Sequence, residues 1–125
     1  MAEAGLKFTK THEWIKVEGG DATVGLTDYA QGELGDIVFI ELPETGKAVS
    51  SGDVLSTVES VKSVSEIYAP VSGEVVDANS ALDDDPSLIN SDPYGKGWIL
   101  KIRLSDPGEL DATISAEEYE ELTKG

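Results

Sequence analysis

The chain has no cysteine, one methionine (Met1), one histidine (His12) and one arginine (Arg103). Each shortage closes a class of function. Without cysteine there is no disulfide framework, no zinc–thiolate site and no thiol nucleophile, so any sulfur chemistry must come from an attached group. A lone histidine does not make a transition-metal centre, and no metal is expected; His12 reads as a capped or packed surface residue. Positive charge is also scarce: nine Lys and Arg against 25 Asp and Glu give a formal net charge of −16. Nucleic-acid binding rests on clustered basic side chains that displace counterions from phosphates, so DNA, RNA and anionic membranes are excluded as partners. Such acidity favours a soluble monomer that meets basic patches on protein partners. No apolar run approaches the roughly 20 residues of a membrane span. Met1-Ala2-Glu3-Ala4-Gly5 resembles neither a secretory signal nor an arginine-rich transit peptide. The expected location is the cytoplasm, or the mitochondrial matrix only where a transit peptide has already been removed.

What is present is a β pattern. The 125 residues, 39% of them hydrophobic, suit one domain spanning 1–125. Short apolar or alternating runs, punctuated by glycine, proline and aspartate, read as six or seven strands up to residue 78 and one more at 97–104. Trp14–Glu18 and Ala22–Leu26 flank a Gly19-Gly20-Asp21 turn; Ile37–Leu42, Lys47–Val49, Val54–Glu59, Ser65–Ala69, Glu74–Ala78 and Gly97–Leu104 follow. Thr27 is a helix cap, with about one turn expected before Gly32 stops it. Asp83-Asp84-Asp85-Pro86 reads as a solvated loop with one helical turn after it, lacking the ligand spacing of a calcium loop. Near the end, Ser115-Ala116-Glu117-Glu118 is a capping box, predicting a helix over about 115–124 packed through Tyr119 and Leu122. The fold class is mainly β: an antiparallel sandwich or barrel-sandwich hybrid with short helical turns and a C-terminal helix.

Between two of these strands, over about 54–69, lies Val58-Glu59-Ser60-Val61-Lys62-Ser63-Val64-Ser65-Glu66, with Lys62 at the hairpin tip. An exposed lysine amine is the usual target of acylation, but an arbitrary tip lysine is a solubilising turn residue, and spacing alone does not decide between the two. The surrounding motifs carry more. The run Glu59 to Val75, together with Thr11-His12-Glu13-Trp14, Val24 to Gln31, Leu34 to Phe39, Leu42-Pro43, Leu88-Ile89-Asn90, Asp92 to Gly95 and Gly97-Trp98, is similar to the glycine cleavage H-protein family. Several ordered motifs over most of a chain are far more specific than one short match.

The resemblance implies a non-catalytic carrier. Lys62 would hold lipoic acid in amide linkage, supplying the sulfurs the chain lacks. The arm would collect an aminomethyl group from the pyridoxal-phosphate glycine decarboxylase (P protein) and pass it to the tetrahydrofolate-dependent aminomethyltransferase (T protein). The flavin-dependent dihydrolipoyl dehydrogenase (L protein) would then reoxidise it, and lipoate-attaching enzymes would load Lys62. The cofactor does the chemistry while the protein supplies position and recognition. Positions matching the polar contacts of the loaded arm are Thr11, Glu13 and Glu66, with 27–34 as a rim; Glu59, Ser60 and Val61 are candidate recognition residues beside Lys62. Glu66 stands where the family pattern has aspartate. From the residues alone, Glu13 is equally a solvated surface carboxylate. Alternatives are a relay of lipoyl groups, an unmodified binding module, a lipoyl domain of another complex, or an enzyme built on His12. A biotin carrier would have methionines around its lysine, and Met1 is the only one.

Overall fold

Local alternation of apolar and polar side chains sets which face of each strand is buried, and nine strands form among residues 6–123, which the computed structural model describes. Residues 1–5 and 124–125 lie outside the described residues, and with them the expected leader reading and the last position of the expected C-terminal helix. All pairings are antiparallel. The strands are β1 (Lys7–Phe8), β2 (Glu13–Glu18), β3 (Asp21–Leu26), β4 (Ile37–Glu41), β5 (Ala48–Val49), β6 (Val54–Ser60), β7 (Val64–Tyr68), β8 (Gly73–Ala78) and β9 (Leu100–Leu104). Six make one sheet in the order β1-β2-β3-β9-β8-β5, and three make the other in the order β4-β6-β7. The sheets do not close into a barrel, and the expectation of a mainly β antiparallel sandwich or barrel-sandwich hybrid holds.

The inner faces share one core, to which Ile15, Val24, Val75 and Ile102 come from the larger sheet and Ile40, Val58 and Ile67 from the smaller. Burying an aliphatic side chain of this kind contributes roughly 1.5–3 kcal/mol. A second cluster of Leu6, Phe8, Trp14 and Tyr119 lies apart from it. Adjacent strand residues point to opposite faces, so Trp14 and Ile15 enter different clusters and the start of β2 is covered on both sides. Trp14 pairs across the ladder with Gly25, where a methyl group would come within 2.6 Å of the indole. Its Nε1 donates to the Pro93 carbonyl at 2.9 Å.

The helices depart most from expectation. Helix α1 covers Asp28–Leu34, runs through Gly32 and ends at Gly35, whose φ of 80° is a left-handed stop. One interior glycine lowers helix propensity without ending the helix, and Thr27 caps the start by accepting the Ala30 N–H. The first part of the expected acidic loop is instead a turn of helix, α2 (Ala81–Asp84), and α3 (Leu88–Ser91) follows. A 3-10 segment, Pro107–Ala112, precedes α4 (Ala116–Thr123). The capping box forms: Glu118 N–H donates to Ser115 Oγ and Ser115 N–H to Glu118 Oε1, both at 3.1 Å. Tyr119 packs as expected, but Leu122 is 48% exposed and does not anchor the helix. No helix among the described residues is long and apolar enough to cross a membrane.

Candidate functional site

The tip between β6 and β7 is a three-residue reversal, Val61-Lys62-Ser63, beyond the Glu59–Val64 register pair. Ser60 closes it. Its hydroxyl oxygen accepts the N–H groups of Lys62 (3.2 Å) and Ser63 (3.1 Å), and its own N–H donates to the Ser63 carbonyl at 2.8 Å. The Val61 N–H donates to the Asp36 carbonyl at 3.0 Å, tying the tip to the segment that follows α1. Lys62 is exposed, and its stem crosses Gly35 so closely that a methyl group there would sit 2.9 Å from Cε. The glycine that follows α1 therefore also makes room for the outer end of the Lys62 side chain.

Leu34, the residue before Gly35, lines a groove of about 250 Å³ between α1, the turn before β2, and β7, an edge strand of its sheet. Thr11 and His12 line one end, Tyr29, Glu33 and Leu34 the α1 wall, and Ser65 and Glu66 the β7 wall. Both charged lining residues, Glu33 and Glu66, are acidic and no lysine or arginine lines it, so the groove favours a cationic or neutral occupant. The Tyr68 hydroxyl donates to Glu66 Oε1 at 3.3 Å.

Glu13 is fully buried, which removes the reading of it as a solvated surface carboxylate. Oε1 accepts the hydroxyls of Thr9 and Thr11, and Oε2 accepts the Tyr68 N–H at 3.2 Å. Burial pushes its carboxyl above the ordinary glutamate range, against the pull of these hydrogen bonds. It borders a neighbouring cavity of about 380 Å³ rather than the groove itself, and Thr11 lines both. Thr11 and Glu66 are thus brought to one groove with the 27–34 rim, and Glu13 stands behind Thr11. Ser60 and Val61 belong to the tip. Glu59 lies on the exposed face of the smaller sheet, opposite Phe39.

Two residues take more definite places than the sequence reading gave them, Glu33 within the expected 27–34 rim and His12, expected only as a capped or packed surface residue. Glu33 enters the groove only because α1 continues past Gly32. His12 is half-buried at a φ of 71°, in a turn closed by its N–H donating to the Thr9 carbonyl at 3.1 Å. Its Nδ1 lies 2.7 Å from the Tyr119 hydroxyl, and its ring lies 5.0 Å from that of Tyr29. Burial lowers its pKa from the ordinary histidine value, with Glu33 opposing. Among the described residues no cluster of His, Asp and Glu could hold a metal ion.

Comparison with known proteins agrees with this arrangement. Residues 6–125 match the family model described as glycine cleavage H-protein. The chain is 56% identical over 117 residues to the glycine cleavage system H protein of Staphylococcus haemolyticus, and 55% identical to that of Staphylococcus saprophyticus. In each case 94% of this chain and 93% of the relative are covered. A crystal structure of a glycine cleavage system H protein from Mycobacterium marinum superposes with a TM-score of 0.87 at 40% identity, covering 96% of this chain and 97% of that one. The motifs, the sandwich and these likenesses together place the chain in the glycine cleavage H-protein family.

Proposed function

We propose that this chain is the lipoyl carrier of a glycine cleavage system and that Lys62 is its attachment site. The observation that carries the reading is the position of Lys62: exposed on a braced tip, with its Cε against Gly35, the residue that follows the α1 wall of a groove lined by Glu33 and Glu66. When bound as an amide of Lys62, lipoic acid supplies the dithiolane that takes up and gives up an aminomethyl group and is then reoxidised. The chain's own residues present, receive and shield the arm. Amide formation removes the Lys62 charge and leaves a long, mostly apolar arm that fits beside Tyr29 and Leu34. A terminal ammonium on a loaded arm is attracted by Glu66 and Glu33, with the Thr11 hydroxyl at the groove's end and the Glu13 carboxylate behind it. Glu59, Ser60 and Val61 present Lys62 to the enzymes that attach lipoate. The P, T and L proteins of the system are the partners in the cycle, and the whole chain acts as one domain, a monomer of the cytoplasm.

The test is the intact mass and tryptic map of the protein from its native host. A lipoyl-sized addition confined to the peptide containing Lys62 is expected. A stoichiometrically unmodified Lys62, in a host that lipoylates its other carriers, overturns the reading.

A further inference from the structure

Tyr119 of α4 is 2% exposed, and its ring stacks on Phe8 with centroids 4.8 Å apart and planes 13° from parallel. That packing holds the ring without help from the hydroxyl. The hydroxyl nevertheless lies 2.7 Å from His12 Nδ1 and 2.7 Å from Thr27 Oγ1. His12 lines one end of the groove, and Thr27 caps α1, whose Tyr29, Glu33 and Leu34 form the opposite wall. A third tie joins the same pieces, since the Thr27 N–H donates to the His12 carbonyl at 3.2 Å. Tyr119 itself does not line the groove.

We propose that the Tyr119 hydroxyl is a positioning group for the carrier's arm, holding the turn of His12 and the start of α1 in register so that a loaded arm stays sheltered in the groove. The inference rests on the reading of Lys62 as the attachment site. The hydrogen bonds form an ordered chain. Thr27 Oγ1 already accepts the Ala30 N–H, so its own proton is available to the Tyr119 oxygen. In the proposed alternation the Tyr119 proton goes to His12 Nδ1, leaving the imidazole proton on Nε2, a tautomer that the nitrogen-15 spectrum of His12 reads directly. The chain stays intact at neutral pH, because burial lowers the His12 pKa and so keeps Nδ1 an acceptor. A buried polar chain with every member satisfied fixes one arrangement of the segments it joins. Misplacing a binding wall by an ångström loosens whatever it holds.

The test uses the full chain lipoylated at Lys62. The arm is reduced to its dithiol and loaded with formaldehyde and ammonia. One thiol and ammonia condense on the formaldehyde carbon, forming a C–S and a C–N bond and releasing water, with no change of oxidation state. Hydrolysis reverses this, and formaldehyde release is timed for wild type, Tyr119→Phe and Ser115→Ala. Tyr119→Phe keeps the ring packing, removes both hydrogen bonds of the hydroxyl and is expected to release formaldehyde at least about fivefold faster, the scale of a single hydrogen bond. The nitrogen-15 spectrum of His12 is expected to change from a single Nε2–H tautomer to a mixture. Ser115→Ala weakens the α4 cap without touching the hydroxyl, so both readouts should stay at wild-type values. Wild-type release and an unchanged His12 spectrum in Tyr119→Phe overturn the proposal, as does equal acceleration by Ser115→Ala. If Tyr119→Phe is too unstable to assay, His12→Asn cuts the same tie and tolerates the left-handed backbone; wild-type release from it likewise overturns the proposal. Failure of the underlying reading looks different: no lipoyl mass on Lys62, or release from the wild type as fast as from free loaded lipoamide.

Discussion

Glu13 is the residue whose environment departs furthest from its chemistry: a carboxyl with no exposed surface, held by two threonine hydroxyls and one backbone N–H. Its folded pKa lies above its ordinary value of 4.5. Between those two values the folded protein binds more protons than the unfolded chain, so the stability linked to this group is complete below 4.5 and is lost as pH rises through the folded pKa. Glu13→Gln removes that dependence while its amide still satisfies the site, because the threonine hydroxyls can rotate to accept its N–H groups and its oxygen can face Tyr68. Melting curves should show Glu13→Gln gaining on wild type from pH 4 to pH 8, with the gap closing at the acid end. Lys62→Arg makes a contrasting prediction. The side chain is exposed, so stability should stay within about 0.5 kcal/mol of wild type, while mass spectrometry should find no lipoyl addition. Sequence reasoning located these two residues unequally. Lys62 stood out once neighbouring motifs were read with it, but the burial of Glu13 depends on Thr9, Thr11 and the end of β7 converging on it.

At the scale of elements, the strands were legible because period-two alternation and turn residues are local signals. The helices were less so, because their ends depend on contacts beyond the helix. Gly32 looks like a stop, yet α1 continues to Leu34 and stops at Gly35, where the positive φ disfavours a side chain and a methyl group would push aside the end of Lys62. Gly35→Ala should cost about 1–3 kcal/mol, because φ 80° and ψ −156° form a backbone conformation essentially confined to glycine, and should also displace the end of the Lys62 side chain. Its signature is a lowered melting temperature together with a slower rate of enzymatic lipoylation. The segments flanking the tip, Lys47–Val49 and Pro70–Val76, look alike as turn-and-strand pieces, and β5 and β8 within them pair with each other. The capping box of α4 was readable from four letters, whereas its anchor was not: the sequence offers both Tyr119 and Leu122, and only the second cluster's geometry selects Tyr119. Ser115→Ala should lower stability by about 1 kcal/mol, seen as an earlier thermal transition.

Over the whole molecule, the net charge of −16 acts at a distance that salt controls. The screening length is about 8 Å at physiological ionic strength and about 3 Å at 1 M. Stopped-flow association with an enzyme partner bearing a basic surface should therefore slow by on the order of tenfold as salt rises through that range; a rate indifferent to salt would show that the charge only keeps the protein dissolved. The placement of β7 bears on a different hazard. An edge strand is a template on which a second chain can add a strand of its own. Here the end of that edge meets Glu13, which accepts the Tyr68 N–H as a neighbouring strand's carbonyl would, and Glu66 sets a charge beside it. If Lys62 carries the proposed lipoyl group, an arm resting in the groove covers the same edge, and the form without it leaves that edge to meet a second chain's strand.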